Sequence, residues 1–225
     1  MTLTTCVFDA YGTLFDVSAA ARRAAAEPGM EPLGPVWRDL ATDWRRKQLE
    51  YTWLRAITGH HVDFWQVTLD GLDWAMARQG LSDAAMRARL MALYRALDAY
   101  PEVPALLAAL KARGLRCAIL SNGSPDMLQA AVDHAGIGGA LDAVLSVEAA
   151  GIYKPARAVY DLVGARFGTD PAEVLFVSSN GWDAAGAAAY GFATVWVNRA
   201  GEPEDRLMAR PAHVLPDLSS LPELL

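Results

Sequence analysis

From Leu115 to Val197 the chain alternates short apolar runs with helix-length patterns. Leu115–Leu120, Leu141–Val147, Val174–Val177 and Ala193–Val197 read as strands, and Pro125–Ala135, Ala156–Phe167 and Trp182–Tyr190 read as helices between them. The strand runs are mainly apolar rather than strictly alternating, which is the pattern of strands buried on both faces. Strand, helix, strand in this rhythm predicts repeated βαβ units and therefore a parallel sheet with helices on both sides. Ligands of such sheets bind outside the carboxyl ends of the strands, so the residues that follow each apolar run are the ones to inspect.

An earlier apolar run, Leu3–Phe8, ends at Asp9 and opens Asp9-Ala10-Tyr11-Gly12-Thr13-Leu14-Phe15. This places one carboxylate at a strand end, before a glycine-containing turn. The position two residues on is Tyr11, so no second carboxylate stands ready as a partnered acid. Three other segments lie where the sheet would gather its loops: Ser121-Asn122-Gly123-Ser124, Tyr153-Lys154-Pro155, and Ser178-Ser179-Asn180-Gly181-Trp182-Asp183. Each has an ordinary reading on its own. Ser121 and Asn122 suit turns and caps, Lys154 suits a surface, and Asp183 suits the first turn of a helix. Together they bring a carboxylate, hydroxyl and amide donors, a lysine and a second polar cluster to one end of one sheet.

The 225 residues suffice for one large core and a smaller inserted module, and a hydrophobic share of 53% excludes a mainly disordered chain. A net charge of −6 with a pI near 5.2 argues against nucleic-acid binding, which needs a dense cationic face. No stretch of about 18 uncharged apolar residues and no signal-peptide pattern is present, so the sequence reads as cytoplasmic with no membrane partner. Cys6 and Cys117 fall inside strand runs and read as small buried hydrophobes. No zinc-type spacing occurs, and His60, His61, His134 and His213 have no partner pattern. Residues 16–96 show helical periodicity without a convincing strand and hold five of the seven tryptophans, which suits packing between helices or a dimer interface better than a cofactor box. The expected architecture is an α/β protein with a Rossmann-like, doubly wound parallel sheet from residues 1–15 and 97–225, and a helical cap inserted at 16–96.

In chain order, the four strand-end segments resemble the four motifs of the haloacid dehalogenase superfamily. Within it the chain is most similar to the L-2-haloacid dehalogenases, through Asp9–Val17, Trp44–Arg55, Ser121–Ser124 and Ser178–Asp183. The phosphatases of that superfamily resemble this core but carry a second acid two residues after the first, and usually an added acid before the last Asp. The second acid protonates a leaving alkoxide, and the clustered acids hold Mg²⁺. Here Tyr11 and the neutral Ser178-Ser179-Asn180 stand instead. A halide leaves without a proton, so neither a general acid nor a metal is called for, and no cofactor is expected.

The resemblance implies that Asp9 is the nucleophile and that the substrate is a short L-2-haloalkanoate, releasing halide. It implies that Arg45 faces the halide with Asn122, and that Lys154 neutralises the nucleophile region and helps Ser121 hold the substrate carboxylate. Tyr11, Leu49, Phe64 and Trp182 match the apolar wall, and Tyr160 matches a functional tyrosine. Thr13, Ser178, Asn180, Lys154 and Asp183 border the hydrolytic water, with Asp183 the first choice for orienting Lys154 and polarising the water. A homodimer is also implied. From the residues themselves, Arg45 and Leu49 are four apart and share a helix face. Two other readings remain: a Mg²⁺-dependent small-molecule phosphatase, and a retired core acting as a binding module.

Overall fold

The computed structural model describes residues 2–225. They divide into two compact units, one made of the chain up to Phe15 together with Ala99–Leu225, the other of Asp16–Asp98. The chain starts with β1 (Thr5–Phe8), then runs through α1 (Ala19–Ala24), α2 (Trp37–Thr58), α3 (Phe64–Arg78) and α4 (Ala84–Arg95). It continues with α5 (Val103–Ala112), β2 (Arg116–Ser121), α6 (Pro125–Ala135), β3 (Ala143–Ser146), α7 (Arg157–Phe167), β4 (Val174–Ser178), α8 (Gly181–Tyr190), β5 (Ala193–Val197) and β6 (His213–Leu215).

The first unit is an α/β sandwich on a six-stranded sheet in the order β3-β2-β1-β4-β5-β6. Every pairing is parallel. The chain leaves β1 in one direction for β2 and β3, then returns to the other side of β1 for β4, β5 and β6. The order therefore reverses between β1 and β4, and the crevice beyond their carboxyl ends is the place where a doubly wound sheet binds ligands. Right-handed crossovers in the two directions lay α5 and α6 on one face and α7 and α8 on the other. Both faces of the central strands are thereby covered, and β1 and β4 are buried along their whole length. Cys6 and Cys117 are register partners on β1 and β2, free and fully buried. Burial pushes their thiols up to about 12 and about 11, which leaves no thiolate for chemistry.

Most boundaries fall within a residue of the sequence pattern, and two strands depart from it further. β3 is shorter than the apolar run at 141–147 because the Asp142 carboxylate accepts the Cys117 N–H at 2.7 Å and Val147 begins a 3₁₀ turn. β6 was not foreseen at all. It is a three-residue edge strand with His213 and Val214 exposed, so it has no apolar pattern to betray it.

The second unit is helical. Asp63 and Asp83 start α3 and α4 by accepting backbone N–H groups of the first turn, and Gly59, with φ +70°, ends α2. α2 and α3 approach closely at Gly71, where an added Cβ would stand 3.2 Å from the Gln48 nitrogen and 3.4 Å from the Trp44 carbonyl oxygen. The buried Trp44 indole donates to the Thr68 carbonyl at 2.8 Å. Trp74 instead carries Arg46, Lys47 and Arg78 over its ring at 4.9, 4.6 and 5.5 Å. Among the described residues, no helix is long and apolar enough to cross a membrane.

A Gly71→Val variant should lose about 1–3 kcal/mol, because branched carbons cannot enter the α2–α3 contact without displacing backbone. Urea unfolding measures this, and an unchanged midpoint would mean that the two helices are free to separate.

Candidate active site

Asp9 continues β1 by one residue, its N–H donating to the Val177 carbonyl at 2.9 Å. Its carboxylate therefore emerges at the point where the strand order reverses. The following turn is tight, with the N–H groups of Thr13, Leu14 and Phe15 all converging on the Ala10 carbonyl. Gly12 permits it, having φ +91° and space for a Cβ only 2.9 Å from the Ser179 hydroxyl. The turn carries Thr13 back over the carboxylate it has just left.

Three elements then grip Asp9. The Thr13 hydroxyl lies 3.2 Å from Oδ2, and the Asn180 side-chain NH₂ donates to the same oxygen at 2.9 Å. Lys154 Nζ donates to Oδ1 at 3.2 Å and to Asp183 Oδ2 at 2.8 Å. The Tyr160 hydroxyl donates to Asp183 Oδ1 at 2.8 Å, so both oxygens of Asp183 are engaged. Asn122 reaches the same place from the end of β2, its Oδ1 accepting the Lys154 N–H at 3.1 Å. Asp9 is 6% exposed, Lys154 1% and Asp183 0%.

Burial opposes charge on Lys154, but the attraction and hydrogen bonds of Asp183 and Asp9 outweigh it and raise the ammonium pKa above the ordinary lysine value. Complete burial pushes the Asp183 carboxyl up, and Lys154 pulls against it. The Tyr160 phenol is held neutral by burial and by the negative charge of Asp183. The ammonium fills the space between the two carboxylates. Among the described residues, no group of three or more His, Cys, Asp or Glu side chains is arranged to hold a metal ion.

Of the residues singled out from sequence, Asp9, Thr13, Asn122, Lys154, Tyr160, Asn180 and Asp183 are brought into one hydrogen-bonded cluster. Ser121 and Ser178 lie at the same sheet end, but their hydroxyls accept the N–H groups of Gly123 and Asn180, shaping the loops. Tyr11 is buried and packs close to Gly123, where a Cβ would come within 2.7 Å of its ring. Trp182 lies in the first turn of α8. Arg45, Leu49 and Phe64 belong to the helical unit: Arg45 and Leu49 are half-buried one turn apart on α2, and Phe64 is buried at the start of α3.

Two contributors were not singled out. The Ser179 N–H donates to the Thr13 hydroxyl oxygen at 2.8 Å, orienting Thr13 toward Asp9. Arg199, just beyond β5, donates to the Thr13 carbonyl at 3.2 Å and to Glu102 at 2.7 Å while lying 3.6 Å over the Tyr100 ring. Its position after a strand end was the available signal.

Lys154→Met should destabilise the fold by about 3–5 kcal/mol at neutral pH, since it leaves two carboxylates in a buried site without their cation. Without Lys154 the native-state carboxyl pKa of Asp183, already raised by burial, rises further above its unfolded value, so the unfolded state gives up that proton first as pH rises. The deficit relative to wild type should therefore grow with pH from about 4 upward and shrink on acidification. Denaturant midpoints across pH check this, and a pH-independent deficit would contradict the ion-pair assignment.

The model of the family described as haloacid dehalogenase-like hydrolase matches residues 3–191. The chain is 44% identical over 221 residues to (S)-2-haloacid dehalogenase 1 of Pseudomonas sp. (strain CBS-3), covering 98% of this chain and 95% of that one. It is 43% identical over 224 residues to (S)-2-haloacid dehalogenase 4A of Burkholderia cepacia, with 99% and 95% covered. A solved structure of L-2-haloacid dehalogenase from Xanthobacter autotrophicus, with chloropropionic acid covalently bound, superposes with a TM-score of 0.89 at 39% identity, covering 99% of this chain and 98% of the other. With its doubly wound sheet and the four polar strand ends gathered beyond β1 and β4, the chain belongs to the haloacid dehalogenase-like hydrolase family.

Proposed function

We propose that this protein hydrolyses the carbon–halogen bond of short L-2-haloalkanoic acids, giving D-2-hydroxy acids and halide. The observation that carries this reading is the nest around Asp9. One strand-end carboxylate has a cationic donor on one oxygen and neutral donors on the other, and Tyr11 stands where a phosphatase would need its acid. The names of the relatives in Pseudomonas and Burkholderia point to the same substrate class.

In this scheme an Asp9 oxygen attacks C2 from the side opposite the halogen, the C2–halogen bond breaks with its electrons leaving on the halide, and C2 inverts. The product is an ester of Asp9. The relative from Xanthobacter autotrophicus holds chloropropionic acid covalently, which supports such an intermediate here. Water then adds to the carboxyl carbon of Asp9 with loss of one proton, and the ester C–O bond breaks with the hydroxy acid oxygen taking up a proton. The remaining water proton leaves as the Asp9 carboxylate re-forms, so each turnover releases one proton to solvent with the halide. One Asp9 oxygen leaves in the product and the water oxygen replaces it.

The nest suits this second step. Negative charge develops on a carboxyl oxygen of Asp9 in the tetrahedral intermediate, where Lys154, Thr13 and Asn180 already donate without further rearrangement. Asp183 acts by holding Lys154 and, with it, polarising the water, while Tyr160 holds Asp183. An anionic nucleophile must also meet an anionic substrate, and Lys154 lowers that repulsion. In the α/β unit the Asn122 NH₂ is the donor for the halide and Ser121 for the substrate carboxylate, with Tyr11 and Trp182 for the carbon chain. Arg45, Leu49 and Phe64 of the helical unit keep the halide-facing and apolar roles that the resemblance implies.

Halide release from L- and D-2-chloropropionate in the presence of EDTA tests the reading. L-selective release is expected, falling by about a thousand-fold or more in Asp9→Asn. Release absent from both enantiomers, with phosphate-ester hydrolysis appearing on addition of Mg²⁺, would replace it with a phosphatase. A single turnover in heavy-oxygen water should label Asp9 before the product. Label found directly in product, with none in Asp9, would rule out the ester.

A further inference from the structure

Helix α8 contains the run Ala184-Ala185-Gly186-Ala187-Ala188-Ala189, one glycine among alanines. Glycine is the poorest helix former after proline, and Gly186 lies inside the helix without a positive φ, so its backbone is one that alanine adopts more readily. Local propensity therefore asks for alanine at this position, and something in the surroundings refuses it.

The surroundings are the Asp183 side of the site. A Cβ at Gly186 would stand 2.7 Å from the Tyr160 hydroxyl oxygen and 2.8 Å from Pro155 Cβ. Non-bonded heavy atoms settle at about 3.5–4.0 Å, so both contacts are closed to a methyl group. Gly186 is three residues beyond Asp183 and shares its face of α8. The helix thus meets the Tyr160 hydroxyl twice. Asp183 Oδ1 accepts its hydrogen bond at 2.8 Å, and the bare Cα of Gly186 passes beside it one turn later.

Neither neighbour is placed to step aside. Tyr160 is 1% exposed, and its ring is held by Phe176, Tyr190 and Phe192 with centroids 5.9, 5.6 and 6.0 Å away. Pro155 is joined to Lys154, whose N–H donates to Asn122 and whose ammonium bridges Asp9 and Asp183. A methyl group at 186 would have to push α8 away, and Asp183 with it.

We propose that Gly186 is a positioning residue for the reaction: its missing side chain lets α8 close on Tyr160 and Pro155, so that Asp183 meets Tyr160 and Lys154 at hydrogen-bonding distance. This rests on the reading of Asp183 and Lys154 as groups that serve hydrolysis of the Asp9 ester. The Asp183 carboxylate is faced by Lys154 from the segment after β3, by Asp9 from the end of β1 and by Tyr160 from α7. Burial raises its pKa and the Tyr160 hydrogen bond draws it back down, so losing that bond moves it higher.

The test is the pH dependence of kcat and KM for halide release from L-2-chloropropionate by wild type, Gly186→Ala, Tyr160→Phe and the double variant, with thermal unfolding of each. Gly186→Ala should keep KM within about two-fold, lose about ten-fold to a hundred-fold in kcat, and show the acid limb of its profile displaced to higher pH, as Tyr160→Phe does. Removing the hydroxyl makes room for the methyl group, so the alanine should lower kcat by a factor at least about three-fold smaller in the Tyr160→Phe background than in wild type. An equal loss in both backgrounds, or Gly186→Ala matching wild type, would overturn the proposal. A lower kcat with the acid limb unmoved would overturn it too, because a merely loosened helix leaves the titration of Asp183 alone. If Gly186→Ala does not fold, the double variant should, and failure of both to fold would count against the contact with Tyr160. All of these outcomes leave the dehalogenase reading standing. A wild type that releases no halide would overturn that reading, and this inference with it.

Discussion

The α/β unit is organised around one ammonium group placed between two carboxylates away from water. A lysine charge held in such a place is opposed by its own desolvation, and it persists here because Asp183 and Asp9 together exceed that cost. The arrangement works only if three distant parts of the chain arrive in register. β1 must end at Asp9, α8 must start so that Asp183 falls in its first turn, and the segment after β3 must bring Lys154 between them. Asn122 from β2 holds the Lys154 backbone, and Tyr160 from α7 holds Asp183. A charge that would unfold a looser protein thus ties together the ends of the strands around the switch point.

Neutral and charged donors divide the work around Asp9. Thr13 and Asn180 hold Oδ2 with dipoles, and Lys154 holds Oδ1 with a full charge. Neutral donors fix geometry at little cost in nucleophilicity, whereas the ammonium lowers the repulsion an anionic reactant meets. In the helical unit Arg46 and Lys47 pair with carboxylates, and Arg45 donates to the buried amide of Gln48.

Several features were legible because short-range patterns encode them. The mainly apolar runs marked β1, β2, β4 and β5, and the helical stretches between them fell close to α6, α7 and α8. Asp9 stood out as an acid ending such a run, and Lys154 and Asp183 as polar residues at the same sheet end. β6 was invisible because an exposed three-residue edge strand buries no face and so needs no apolar pattern. Ser179 and Gln48 were passed over for another reason. A backbone N–H that holds Thr13, and an amide that holds Arg45, act through partners whose nearness sequence spacing does not display. Arg199 is similar: it reaches Thr13 across 186 residues of chain.

By itself the sequence determined where strands β1–β5 and helices α6–α8 lie, that the sheet is parallel, and which polar residues follow its strands, because periodicity and the hydrophobic effect act locally along the chain. Only the tertiary structure decided which of those residues touch. Ser121 and Ser178 shape loops with their hydroxyls, while Thr13 and Asn180 reach Asp9, although all four have the same kind of place in the sequence. Hydrogen bonds are decided within a few tenths of an ångström and at particular angles, and that precision comes from packing the whole unit rather than from any one segment of it.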